Sequence, residues 1–169
     1  KGRLGTEPAQ LLESLAGMYL ERPFRRSATA LSARQRMVRI MRETFDRAGL
    51  SRFMQEQIAF SEFTHAGDPL KVDFGYRVNG ILKMFHATPL SKSIDAAKVL
   101  AFSYPQYAAG LRRAGKGDCG LTAVFEDNVD RDDSQIGFAL SAMQSSGIRT
   151  VPESEVPLLA EAARLELRA

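Results

Sequence analysis

The stretch PLKVDFGYRVNGILKMFHAT, residues 69–88, decides how this chain folds. Leu70, Val72, Phe74 and Tyr76 alternate with Lys71, Asp73, Gly75 and Arg77, the period of a half-buried strand with the four apolar residues on one face. Val78-Asn79-Gly80 follows, and Asn-Gly between two strand-like runs is a strong hairpin signal, because a two-residue turn needs positive φ at both central residues. Residues 81–88 (ILKMFHAT) are the returning strand. Just upstream, residues 54–63 (MQEQIAFSEF) also have period two, with Ile58, Phe60 and Glu62 on one face, and Thr64–Asp68 is a turn. The centre of the chain therefore reads as a three-strand antiparallel meander.

Working outward, Pro89 ends the meander and Ser93 caps a helix over about Ile94–Arg113, with an interruption expected at Tyr104-Pro105. Gly115-Lys116-Gly117-Asp118 is a loop, and residues 120–126 (GLTAVFE) are a buried strand. The acidic loop Asp127–Asp133 leads to a helix over Ser134–Ser146, stopped by Gly147. Ile148–Val151 is a short strand. Pro152–Arg168 is a last helix, burying Val156, Leu159, Ala163 and Leu167. On the other side of the meander, a helix over about Leu31–Ala48 carries the apolar stripe Met37, Ile40, Met41, Phe45 and Ala48, with Gly49 as its stop. Before it, Thr6 and Pro8 start a helix with Leu11, Leu12, Leu15, Met18 and Tyr19 at helical spacing; Arg22-Pro23 ends it. Residues 1–30 are thus an N-terminal helix and linker, and residues 31–169 a single α/β domain with a mixed sheet.

Composition narrows the chemistry. The 169 residues include one cysteine, Cys119, which excludes an intramolecular disulfide and a cysteine-based zinc site. No apolar run approaches about 18 residues, so no membrane-spanning helix is expected. Lys1 and Arg3 are not followed by the apolar run of a signal peptide, and a cytoplasmic bacterial protein, trimmed or cut from a longer chain, is the default expectation. Net charge is only +3, but Arg22–Arg47 holds eight Arg against Glu43 and Asp46, whereas Asp118–Ala169 holds ten acids against four bases. Arg34, Arg36, Arg39 and Arg42 are the candidates for contacting nucleic-acid phosphates; the competing reading is a solvated helix face paired with the acidic C-terminal part. The loop at Asp127–Asp133 fails the EF-hand pattern, since Asp133 and Ala139 stand where Gly and Glu are required. Gly115–Gly120 lacks Walker spacing and precedes a strand, so it reads as a tight turn.

A helix, a three-strand meander, a crossover helix and a further strand follow one another in an order that resembles the restriction-endonuclease-like, PD-(D/E)xK superfamily. The resemblance covers residues 31–126 and rests on element order and on Asp73. It implies a mixed sheet with helices on both faces, a second-strand acid and a third-strand E-x-K that hold Mg²⁺ and steady the attacking water. Asp73 stands at the second-strand position and Glu43 at that of the first-helix acid, the two expected metal ligands. The third strand departs from the pattern, reading His86-Ala87-Thr88 where E-x-K belongs. Lys98, early in the following helix, stands where a migrated catalytic lysine would lie. Either the site has decayed and only the fold remains, or Asp73, Glu43 or Glu62, His86 and Lys98 form an unusual one.

The expected function is that of a nucleic-acid-associated bacterial or phage accessory protein without efficient nuclease activity, needing no cofactor. One alternative is a protein-interaction module or inhibitor meeting a protein partner or a second copy through charged surfaces. The other is an active Mg²⁺-dependent nuclease using Asp73.

Overall fold

The computed structural model describes residues 31–169; the expected N-terminal helix and linker lie outside the described residues. Helix α1 (Ala33–Arg47) starts at a capping box: Ser32 Oγ accepts from the Gln35 N–H at 3.1 Å, and Gln35 Oε1 accepts from the Ser32 N–H at 2.9 Å. It buries Met37, Met41 and Phe45, and it stops at Gly49, whose φ of 74° is left-handed. Strands β1 (Gln55–Ala59), β2 (Lys71–Val78) and β3 (Ile81–Ala87) form the meander, with Asn79 and Gly80 both at positive φ. Helix α2 (Asp95–Arg113) crosses to β4 (Asp118–Phe125); α3 (Ser134–Ser145), β5 (Arg149–Pro152) and α4 (Val156–Arg168) complete the chain. Ser32–Ala169 forms one compact unit.

The five strands lie in chain order, β1-β2-β3-β4-β5. The first two neighbouring pairs are antiparallel and the last two parallel. Helices cover both faces of this α+β fold. On one face α2 and α3 bury Leu100, Tyr107, Leu111 and Met143 against Leu82, Met84, Leu121 and Phe125. On the other, α1 and α4 bury Met41, Phe45, Leu159 and Ala163 against Phe74, Tyr76, Phe85 and Val124. Helices α1 and α4 run side by side: Arg36 pairs with Glu153 just before α4, and Gly49, Leu50, Leu167 and Arg168 line a shared crevice at their far ends.

Several expectations are corrected. The strand expected over 54–63 ends at Ala59, and Phe60–Glu62 is a 3₁₀ turn that drops Phe60 into the core. Pro105 does not interrupt α2; the helix spends one hydrogen bond, the one Pro105 cannot donate to the Ala101 carbonyl, and burial on both sides of that turn outweighs the loss. Ser93 Oγ does accept from the Asp95 N–H at 3.1 Å, although Ile94 takes the capping position.

The largest correction concerns alternation in β2. Val72 packs with the α2/α3 core, yet Phe74 and Tyr76 pack with the α1/α4 core, so the expected single face changes side at Asp73. Across from that position Gln57 takes φ 54°, a left-handed conformation rare for a non-glycine in a strand. Pairing of β1 with β2 resumes in the same register on either side, Glu56 with Phe74 and Ile58 with Val72. The ladder between β2 and β3, by contrast, stops at Phe74 with Phe85, one residue short of Asp73.

Candidate functional site

Where β2 and β3 part, a side chain takes over from the backbone. Asp73, 1 % exposed, accepts the Ala87 N–H at 2.8 Å through Oδ2, supplying the acceptor that the broken ladder lacks. Arg34, in the first turn of α1, reaches the same carboxylate with both ends of its guanidinium. Nη2 donates to Oδ1 at 2.6 Å and Nη1 to Oδ2 at 3.1 Å, and Nη1 also donates to the Ala87 carbonyl at 2.5 Å. The fork thus ties α1 to β2 and β3 at once. His86 Nδ1 stands 3.1 Å from Oδ2 but meets it off its N–H axis, leaving that buried nitrogen without a well-directed hydrogen bond. Burial pushes the Asp73 carboxyl up, but the neighbouring imidazole, the Ala87 N–H and Arg34 outweigh it and hold it below the usual carboxylate range.

A second buried acid stands at the end of β4. Glu126, 2 % exposed, accepts from the Leu90 N–H at 2.8 Å, the Ser91 N–H at 3.2 Å and the Ser91 hydroxyl at 2.6 Å. It pins the link from β3 to α2. Burial raises its carboxyl, but Ser91 and the Leu90 N–H lower it further, and the balance lies below the ordinary value. Glu126 ends the run that reads from sequence as a buried strand, but nothing local to that run announces its partners, Leu90 and Ser91, which lie 36 and 35 residues away. Glu126→Ala is expected to cost about 2–4 kcal/mol by leaving three donors unmatched, and Glu126→Gln about 1–2 kcal/mol. Urea unfolding at pH 7 checks both. Because the folded carboxyl sits low, its contribution is present above about pH 4.5 and disappears as pH falls through the folded value.

The expected site residues do not all converge. Asp73 and His86 meet, and Arg34 joins them. Glu43 lies on the exposed side of α1, paired with Arg39 at 3.8 Å and Arg47 at 3.6 Å. Lys98 is exposed on α2 and pairs with Asp95 at 3.6 Å. Glu62 is exposed in the 3₁₀ turn. Thr88 is fully buried, its N–H donating to the Val124 carbonyl. Among the described residues, no three His, Cys, Asp or Glu side chains stand together as a metal ion requires. The residues around Asp73 do not fit the Mg²⁺ that the resemblance implies: both carboxylate oxygens already accept hydrogen bonds, and the nearest charged group is a cation.

The four candidate phosphate-binding arginines are all engaged. Beyond Arg34, Arg36 pairs with Glu153 at 3.2 Å, Arg39 with Glu43, and Arg42 with Glu56 at 2.9 Å. The acidic partners come from α1, β1, β2 and the turn just before α4, so only Arg36 draws on the acidic C-terminal part.

A groove of about 480 Å³ lies at the opposite end of the sheet, between α4 and the first residues of β3 and β4. Nothing stands over Gly120 on its floor. Glu166 of α4 accepts from Lys83 Nζ at 2.6 Å and from the Tyr76 hydroxyl at 2.7 Å on its wall. Cys119, at the groove's edge, has its thiol raised by burial, which disfavours a reactive thiolate. No family model, no curated protein and no solved structure matches this chain.

Proposed function

We propose that this chain is a nucleic-acid-associated domain of restriction-endonuclease-like architecture that binds without cutting. The sheet supports the architectural part: an antiparallel meander joined in parallel to a fourth strand, with a helix before the meander and a crossover helix after it. One observation carries the non-cutting part, the Arg34 guanidinium forked across Asp73. At the strand position where a nuclease of that architecture holds its metal, this chain places a fixed cation, and the acid serves as a structural clamp. Thr88 supplies no positive charge beside it, and Lys98 is drawn to Asp95 instead.

The test is incubation of the purified chain with supercoiled plasmid and single-stranded RNA in Mg²⁺ or Mn²⁺. Binding that weakens with added salt and leaves the substrate intact is the expected result. Cleavage that disappears in Asp73→Ala would overturn the non-cutting reading, and failure to bind at low salt would overturn the nucleic-acid reading.

A further inference from the structure

The turn between β2 and β3 and the loop between α2 and β4 form one surface. A Cβ on Gly117 would collide with the Gly80 carbonyl, and Arg77 Nη1 donates to the Lys116 carbonyl at 3.0 Å. That bond fixes the Arg77 guanidinium beside Lys116 without neutralising it. The Lys116 N–H in turn donates to the Leu111 carbonyl, holding the loop on the last turn of α2, where Arg113 is exposed. The adjoining groove is lined by Arg149, also exposed. Among the described residues, Arg77, Arg113, Lys116 and Arg149 have no carboxylate partner; Asp118 and Glu166 nearby are taken by Arg112 at 2.5 Å and Lys83 at 2.6 Å.

The outer face of α1 is the contrasting case. Its five arginines stand against four carboxylates, Arg39 and Arg47 sharing Glu43, so little net field remains. Affinity for a polyanion follows the counterions released by uncompensated bases, and a neutral pair releases few. We propose that this chain contacts the phosphodiester backbone of nucleic acid through the hairpin end, with Arg77, Lys116 and Arg113 at the hairpin and the end of α2 and Arg149 in the adjoining groove, and not through α1. The proposal rests on the nucleic-acid reading above and names its surface.

The experiment compares R77Q/R113Q/K116Q with R36Q/R39Q/R42Q. Fluorescence anisotropy with labelled duplex DNA, single-stranded DNA and single-stranded RNA is followed across a salt series, and circular dichroism verifies folding. The hairpin-end variant is expected to bind at least about tenfold more weakly and to lose roughly two to three from the slope of log K against log salt on a duplex. The α1 variant lowers net charge by the same three units and leaves Glu43, Glu56 and Glu153 without those partners, so it is expected to weaken binding at low salt but to keep the parent's salt slope, because its arginines contact no phosphate. The reverse order would overturn the surface while leaving nucleic-acid binding intact. A parent that binds none of the three probes would overturn both. Should the triple variant unfold, Arg113→Gln and Lys116→Gln singly, both at exposed positions, must each lower the slope, and unchanged slopes would likewise overturn the proposal.

Discussion

Arg34→Met is expected to destabilise the domain by about 2–3 kcal/mol at pH 7, lowering the urea midpoint by roughly 1–2 M. The substitution removes the cation from a carboxylate that is 1 % exposed and leaves it with the Ala87 N–H and an ill-directed imidazole. The cost stays below the 3–5 kcal/mol range known for wholly buried pairs because the guanidinium is itself 39 % exposed. The sign with pH follows from the low folded value of Asp73. Its contribution is present above the unfolded carboxyl value of about 3.9 and is lost as pH falls through the folded value. The gap between parent and variant therefore narrows in acid, and unfolding curves at pH 7 and pH 3 measure that. Arg34→Met combined with Asp73→Asn is expected to recover part of the loss, because no unpaired charge remains buried. If Arg34→Met were as stable as the parent, the clamp would have no mechanical role.

The second large effect is expected at Gly110 in α2. A Cβ there collides with the carbonyl of Phe63, which is backbone and has no rotamer to move. Phe63 belongs to the connection that runs from β1 to β2 across α2, and its ring meets Tyr107 edge-on at 5.5 Å. Phe60 stacks on the same Tyr107 at 4.2 Å. Gly110→Ala would prise this connection from the helix and spoil both contacts. Helix propensity pulls the other way by about 1 kcal/mol, and overpacking wins, for a net loss of about 2–3 kcal/mol. Calorimetry should show the melting temperature lowered by roughly 6–12 °C. Gly137→Ala in α3 is the control: nothing lies within 4 Å of its Cβ, so the same substitution is expected to stabilise by about 0.5–1 kcal/mol.

These two positions show which parts of the structure sequence could and could not reveal. Asn79-Gly80, Gly49 and the apolar stripe of Met37, Met41 and Phe45 act within a few residues of themselves, and the elements they define stand where their spacing put them. Asp73 was visible as one acid inside an apolar strand. Its partner was not, because Arg34 lies 39 residues away and only the docking of α1 on the sheet brings the two together. Arg34 then looked like one more member of a basic run. Likewise, strict alternation placed Leu70, Val72, Phe74 and Tyr76 on a single face. The left-handed Gln57 that accompanies the change of side has no short-range signature, being a non-glycine held there by its neighbours across the strand.

That reversal at Gln57 closes a route of recognition. A sheet can recruit a foreign strand only along an edge that offers a regular row of outward N–H and C=O groups. One edge here is β1, five residues long with its middle residue turned out of the extended conformation. The other is β5, four residues long and ending in Pro152, which has no N–H to give. Among the described residues, neither edge thus offers a second copy a long regular row on which to extend the sheet.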